Sequence, residues 1–258
     1  MVMPFGMTNA PATFQMTMNE AFRPLLDECV IIYLDDILVY SRDKQQHLAD
    51  LEAALTVLDK HRLLTKGSKY EFFQDRLEFL GHVISEAGVE IDPKKLNTVK
   101  AWHPPTNITE LQSFLGFVNY VRRFVPDMAH LTAPLTDLLR KGVTFTCVEK
   151  EHATFSTLKN VICSPPVLRI TDPHRPFEVV TNASDIAIGA VLLQDFGSGL
   201  QPIAYESRKL HPPEKNNPIH NREMLAIMQS FKVWRCYLTR ADVTVRTYHN
   251  VRILNENE

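Results

Sequence analysis

Two adjacent aspartates, Asp35 and Asp36, stand within the tetrad Tyr33-Leu34-Asp35-Asp36 and offer the clearest chemistry in the chain. Two close carboxylates repel each other unless a cation lies between them. Enzymes that transfer nucleotidyl groups use such acids to hold two Mg²⁺ ions ~4 Å apart, one activating the attacking oxygen and one stabilising the leaving oxygen. By itself a pair of aspartates is more often a polar turn. The histidines add little: His82, His211, His220 and His249 form no H-x-x-x-H or H-E-x-x-H spacing. Cys29, Cys147, Cys163 and Cys236 are scattered and form no C-x-x-C pair, which argues against structural zinc.

The elements around the tetrad explain how it would be held. Residues 30–34 and 37–40 are β-rich runs interrupted by the two acids, which predicts a hairpin with acids at its turn. Phe14, Met18, Phe22 and Leu25 recur at helical spacing before it. After it, residues 45–64 predict a helix with Leu48, Leu51, Leu55 and Leu58 on one face. A second hairpin is expected over 78–85, turning at Glu86-Ala87-Gly88. From 92 to 142 the pattern is mostly helical. Thr109 with Gln112 suggests a capping box, and Leu111, Phe114, Leu115, Val118 and Val121 form the apolar stripe. Lys94, Lys95, Lys100, Arg122, Arg123, Arg140 and Lys141 outweigh Asp92, Glu110, Asp127 and Asp137 there, giving a mildly basic stretch. Trp102 and Trp234 read as packing residues.

A short amphipathic helix is expected within 143–175, and a new unit near Pro176. Strands are predicted at 177–181, 187–193 and 203–207, then a helix over 221–238 with Met224, Ile227, Met228, Phe231 and Trp234 on one side, then a strand at 243–247. This β-β-β-α-β order implies a mixed sheet with a helix packed on it. The 258 residues carry 28 Lys and Arg against 30 Asp and Glu, so a nucleic-acid role needs a local basic face rather than a global charge. A hydrophobic fraction of 45% and a charged fraction of 22% fit a globular protein. No apolar run reaches the ~18 residues of a membrane span, the first residues do not read as a signal peptide, and scattered thiols fit an intracellular setting.

Four segments in order raise the weight of the aspartate pair: M-P-F-G-M-T-N-A-P-A-T-F-Q (3–15), Y-L-D-D (33–36), E-F-L-G-H-V-I-S (78–85) and F-L-G-F-V-N-Y-V-R-R-F (114–124). Together they resemble the reverse transcriptase of gypsy/Ty3-type long-terminal-repeat retrotransposons. T-N-A-S-D-I-A-I-G-A-V-L (181–192), P-I-A-Y-E-S-R-K-L (202–210) and R-E-M-L-A-I (222–227) resemble the RNase H domain of the same polyproteins. The resemblance implies an α+β chain in three parts: a partial palm over 1–88, a helical thumb over 89–143, and a C-terminally truncated RNase H-like mixed α/β domain over 144–258.

Roles follow from the resemblance by position. Asp35 and Asp36 would be palm metal ligands for Mg²⁺. Tyr33 and Leu34 would lie near the incoming nucleotide and the primer end, and Phe5 and Gly6 would line the nucleotide pocket. The 78–85 segment, with Gly81 and His82, would grip the primer, and basic thumb residues such as Arg122 and Arg123 would track the duplex. The family's other palm aspartate lies upstream of M-P-F-G, outside this sequence. In the RNase H motifs Glu223 is retained, but Asn182 and Tyr248 stand where the family has Asp, and the last acid falls beyond residue 258. Asn is a poor ligand for a hard dication, and Tyr replaces the ligand with a ring. Asp185 belongs to the intact motif and reads as structural. Cys147 stands where the family usually has Trp.

The implied chemistry is RNA-directed DNA synthesis and cleavage of the RNA strand, with a template-primer duplex and dNTP as partners and no membrane. The isolated chain is expected to perform neither reaction. The alternatives are a non-catalytic nucleic-acid-binding or scaffold protein that forms a homodimer or pairs with an intact polymerase, and a relic without function. Exposed sheet edges and apolar surface predict poor solubility.

Overall fold

A computed structural model describes residues 8–146 and 148–247. Phe5, Gly6, Cys147, Tyr248 and His249 therefore lie outside the described residues. The chain divides into two compact units, Met1–Gln74 and Asp75–Glu258.

In the first unit, helix α1 (Ala10–Ala21) precedes a two-stranded antiparallel hairpin, β1 (Val30–Tyr33) and β2 (Asp36–Val39), followed by helix α2 (Lys44–Lys60). Met18 and Phe22 from α1, Val30 and Ile32 from β1, and Ala54 and Leu58 from α2 form its core. Asp43 opens α2 by accepting a hydrogen bond from the Gln46 amide at 2.9 Å. The inward stripe of α2 differs from the expected leucine face. Ala54 and Leu58 are buried, whereas Leu48 and Leu55 are exposed. Ser41 accounts for the rotation: its Oγ donates to Asp50 Oδ2 at 2.6 Å and lies 3.2 Å from His47 Nδ1. Positions 47, 50, 54 and 58 therefore share the inward side, Leu51 is half-buried, and Leu48 and Leu55 turn to solvent.

The second unit opens with an antiparallel meander of β3 (Arg76–Phe79), β4 (His82–Ser85) and β5 (Gly88–Ile91). It has two turns, at Leu80–Gly81 and at Glu86–Ala87, where the sequence suggested only the second. Helices α3 (Pro93–Lys100), α4 (Ile108–Tyr120), a 3-10 turn at Arg122–Phe124, α5 (Met128–Leu131), α6 (Ala133–Asp137) and α7 (Glu149–Cys163) follow. The cap of α4 is Asn107, two residues before the expected Thr109. Asn107 Oδ1 accepts from the Glu110 amide at 2.9 Å, and Glu110 accepts from the Thr106 amide at 2.8 Å. The shift puts Glu110 at the third helical position, where it satisfies an upstream amide that Gln112 could not reach.

Leu111, Phe114, Val118 and Val121 form the buried stripe of α4 and pack with Phe124, Phe155, Leu158, Ile162 and Leu168, while Leu115 is only partly buried. Trp102 meets Phe114 edge-on, ring centroids 5.6 Å apart, which is the packing role expected of it.

The remaining strands are β6 (Phe177–Ala183), β7 (Ala187–Asp195), β8 (Leu200–Lys209) and β9 (Val243–Thr247), in the order β8-β7-β6-β9. β9 runs parallel to β6 and the other pairs are antiparallel, giving the mixed sheet. The expected helix is broken into α8 (Ile219–Val233) and α9 (Arg235–Leu238). Its inward stripe is Glu223, Ala226, Ile227, Ser230 and Trp234, while Met224, Met228 and Phe231 are exposed. Small side chains at 226 and 230 let the α8 backbone approach β6 and β7 closely, which turns the bulky residues outward.

Candidate polymerase turn, acid sites and nucleic-acid interface

The aspartate pair sits at a tight turn. Tyr33 and Asp36 face each other across β1 and β2, with Leu34 and Asp35 between them. Leu34 has φ of +54°, a left-handed conformation unusual for a branched apolar residue. Gln15 on α1 holds it there. Its Oε1 accepts from the Leu34 amide at 2.6 Å, and its Nε2 donates to the Ile32 carbonyl at 3.2 Å. Tyr33, Asp35 and Asp36 are exposed. Asp35 is in the turn and Asp36 is the first residue of β2, so strand alternation does not force them to opposite faces. Among the described residues no three acids, histidines or cysteines gather as a metal cluster, so these two carboxylates do not by themselves make a two-metal ligand set.

The RNase H positions differ in environment. Glu223 is fully buried on α8, and its Oε2 accepts from Thr247 Oγ1 on β9 at 2.6 Å. Asn182 lies on β6 between buried Thr181 and buried Ala183, so alternation turns it away from them and into solvent. Asp185 pairs with Arg222 at 2.5 Å, and Arg222 also donates to the Ser184 and Asn217 carbonyls. That network ties the β6–β7 turn to α8, in keeping with a structural acid.

The Leu80–Gly81 turn is the best-defined polar feature of the second unit. Both residues have positive φ, +50° and +75°. This pattern matches the right-handed twist of β3 and β4. The Tyr120 hydroxyl lies 3.0 Å from the Leu80 carbonyl oxygen and 3.1 Å from that of Gly81. His82 stacks on the Tyr120 ring, with centroids 5.3 Å apart and planes 6° from parallel. Lys95 Nζ lies 4.1 Å from the centre of the same ring. Burial, then the nearby Arg123 and Lys95 charges, push the His82 pKa down.

Arg122 and Arg123 diverge sharply. Arg122 Nη2 reaches Glu206 at 3.0 Å and 3.1 Å and the Ser207 carbonyl at 2.5 Å, joining the turn after α4 to β8. Arg123 has no carboxylate partner among the described residues, and its Nε is buried without a hydrogen-bond acceptor. Of the seven basic residues noted in this stretch, Lys94 pairs with Glu78 and Arg140 with Asp137.

Residues 1–84 match the family described as reverse transcriptase (RNA-dependent DNA polymerase), and residues 148–245 match the RNase H-like domain found in reverse transcriptase. The Pol polyprotein of transposon opus from Drosophila melanogaster is 37% identical over 257 residues, covering 95% of this chain and 26% of its own length. The Tf2-3 transposon polyprotein of Schizosaccharomyces pombe is 36% identical over 264 residues, covering 100% of this chain and 20% of its own. This is reverse-transcriptase and RNase H-like sequence of the gypsy/Ty3 retrotransposon type.

The reverse-transcriptase sequence thus spans about a quarter or less of the curated relatives it matches. Its fold is similar to part of the foamy viral protease-reverse transcriptase. Its dRH form in complex with double-stranded DNA has a TM-score of 0.83 at 21% identity, covering 95% of this chain and 43% of the other. The one with an RNA/DNA hybrid has a TM-score of 0.80 at 21% identity, covering 95% and 33%. Within the reverse-transcriptase motifs, Gln15 and Tyr120 are the positioning residues that motif reading passed over. Both stand inside quoted segments, but their partners are 19 and about 40 residues away, so nothing local marks their roles.

Proposed function

We propose that this chain is part of a retrotransposon polyprotein for RNA-directed DNA synthesis and RNA-strand hydrolysis, and that the 258-residue polypeptide alone grips a nucleic-acid duplex without catalysing either reaction. The observation that carries this is the exposed turn with only Asp35 and Asp36, braced by Gln15, and no third acid gathered near it among the described residues. In this reading Asp35 and Asp36 are one share of a palm site for Mg²⁺, completed by an acid from outside the sequence. Tyr33 and Leu34 flank the incoming nucleotide, and Phe5 and Gly6 line its pocket. Gly81 and His82 belong to the primer grip. Glu223, with Asn182 and Tyr248, marks an RNase H site that keeps one carboxylate and has lost two. The division into palm (1–88), thumb (89–143) and RNase H-like domain (144–258) is part of the proposal, as is an intracellular setting.

The duplex partner is supported by the foamy viral neighbours, whose structures hold double-stranded DNA or an RNA/DNA hybrid. The built Leu80–Gly81 turn supports the same partner. Arg122 is better read as a strut than as a duplex contact, because Glu206 and Ser207 occupy its guanidinium.

Primer extension on an RNA template with Mg²⁺ or Mn²⁺ tests the first half. No product is expected, and template-dependent product abolished by Asp35→Asn would falsify it. Incubation with an RNA–DNA hybrid tests the second half. Cleavage that disappears on Glu223→Ala would overturn the inactive assignment.

A further inference from the structure

The RNase H-like segment 202–210 carries side chains that neither acid site uses. It lies on β8, an edge strand of the four-stranded sheet, and an edge strand offers unpaired backbone groups to whatever packs beside it. Here the neighbour is the helical part of the same unit. The Arg169 amide donates to the Pro202 carbonyl at 2.9 Å, and Arg122 Nη2 donates to the Ser207 carbonyl at 2.5 Å. Side chains add to these bonds. Ser207 Oγ accepts from the Ala129 amide at 2.9 Å, and Tyr205 packs against the apolar core of the helices. Lys209 Nζ donates to Asp137 at 2.9 Å, to Thr136 Oγ1 at 3.0 Å and to the Ala133 carbonyl at 3.3 Å. On neighbouring β7, Gly189 leaves room for the Asp127 carboxylate, which would stand 2.9 Å from a Cβ at that position.

The charges across this seam are ordered. The helical side presents Arg122 and then Asp137, while β8 presents Glu206 and then Lys209, and each meets its opposite. Exchanging the two contacts would oppose Arg122 to Lys209 and Asp137 to Glu206, so the charge order admits one docking register. The covalent link is slight by comparison. Helix α7 and Leu168 complete the core of the helices, and β6 begins at Phe177, so only residues 169–176 tether one side to the other.

We propose that β8 is a docking strip for the helical segment 122–137. Tyr205, Glu206, Ser207 and Lys209 hold the helices and the sheet as one body, and would keep them together if the 169–176 tether were cut. The motif at 202–210 then has a binding role of its own, separate from strand hydrolysis. This goes beyond the duplex and metal readings above and holds whether or not either reaction occurs.

The test uses the full 258-residue chain with a site-specific protease recognition sequence inserted between Pro173 and His174, both exposed. The folded chain is cut and passed over a size-exclusion column at micromolar concentration. The two pieces are expected to co-elute in native buffer and to part in urea. Arg122→Ala is expected to weaken their association about 10- to 100-fold, as for lost hydrogen bonds to a charged group. Lys209→Ala, whose ion pair is more exposed, is expected to weaken it about 2- to 5-fold. Arg246→Ala is the control: it breaks the pair with Glu178 on β9, at the far edge of the sheet, and is expected to leave the association unchanged. Wild-type pieces that separate in native buffer overturn the proposal, as does wild-type association in both seam variants. Hydrogen exchange on the uncut wild-type chain decides the matter where an insertion or variant fails to fold. The slowest amides of α4 and β7 are expected to open with one free energy and one urea dependence, and two distinct openings would overturn the single body.

Discussion

The Leu34 amide donates to Gln15 Oε1 at 2.6 Å, and this one bond ties the aspartate turn to a helix 19 residues away. Leu34 is in the left-handed region, which costs a branched residue free energy that its partner must offset. Gln15→Ala leaves a half-buried amide without its acceptor. The expected loss is about 1–3 kcal/mol of stability in the first unit. Amide hydrogen exchange at Leu34 is expected to speed up, whereas exchange at the Ala54 and Leu58 amides within α2 is expected to change less. Unchanged exchange at Leu34 would show that the turn keeps its shape without Gln15.

Arg122 is expected to matter for stability rather than for duplex affinity. Glu206 has a side chain only 10% exposed, so removing Arg122 leaves a mostly desolvated carboxylate without its charged partner, with Gln229 Nε2 still donating to it at 3.3 Å. Arg122→Ala is expected to cost about 1.5–3 kcal/mol, the range for hydrogen bonds to charged groups. A denaturant double-mutant cycle with Glu206→Gln measures the coupling, and the double variant is expected to lose less than the two single variants summed. A salt slope for duplex binding that falls by about one in Arg122→Ala would instead return Arg122 to the strand.

Much of this was legible in the sequence because it depends on local pattern. The alternation through Val30–Tyr33, the acids at its turn and the β-β-β-α-β order all rest on period and turn chemistry. Helix rotation was not legible. Leu48 and Leu55 read as core but are exposed, and Met224, Met228 and Phe231 likewise, because the inward face is chosen by tertiary partners. Ser41 sets it for α2, and the small residues Ala226 and Ser230 set it for α8. The same limit applied to the site. The run of Arg122 and Arg123 reads as two equivalent charges, and only the position of Glu206, 84 residues later, separates them.

Gly88 is predicted to tolerate no side chain. Its φ is +136°, and an added Cβ would overlap the Leu168 carbonyl. That carbonyl accepts from the Val89 amide at 2.7 Å, and the Leu168 amide donates back to Val89 at 3.1 Å. The obstacle is backbone on both sides, so relief requires breaking this bridge. Gly88→Ala is expected to cost about 3 kcal/mol, combining conformational strain with the lost pairing. Gly67→Ala is the matched control, since nothing lies within 4 Å of its Cβ position. Thermal unfolding compares the two, and equal midpoints would contradict the bridge as a fixed feature.

His82 gives the second unit a pH dependence whose sign follows from its surroundings. Burial first, then Arg123 and Lys95, hold its folded-state pKa below the ordinary 6.5. The unfolded chain therefore binds a proton more readily than the folded one between that lowered value and about 6.5. Stability falls as pH drops through this window and is level above it. Lowered carboxylate pKa values at Glu110, Asp172 and Glu214 act in a separate, more acidic window, where their stabilisation is lost as pH falls. Urea midpoints measured from pH 7.5 down to pH 5 are expected to decline in the wild type. They are expected to stay flatter in His82→Asn, which keeps a polar side chain but cannot take up the proton. A decline of equal depth in both would assign the titration to another group.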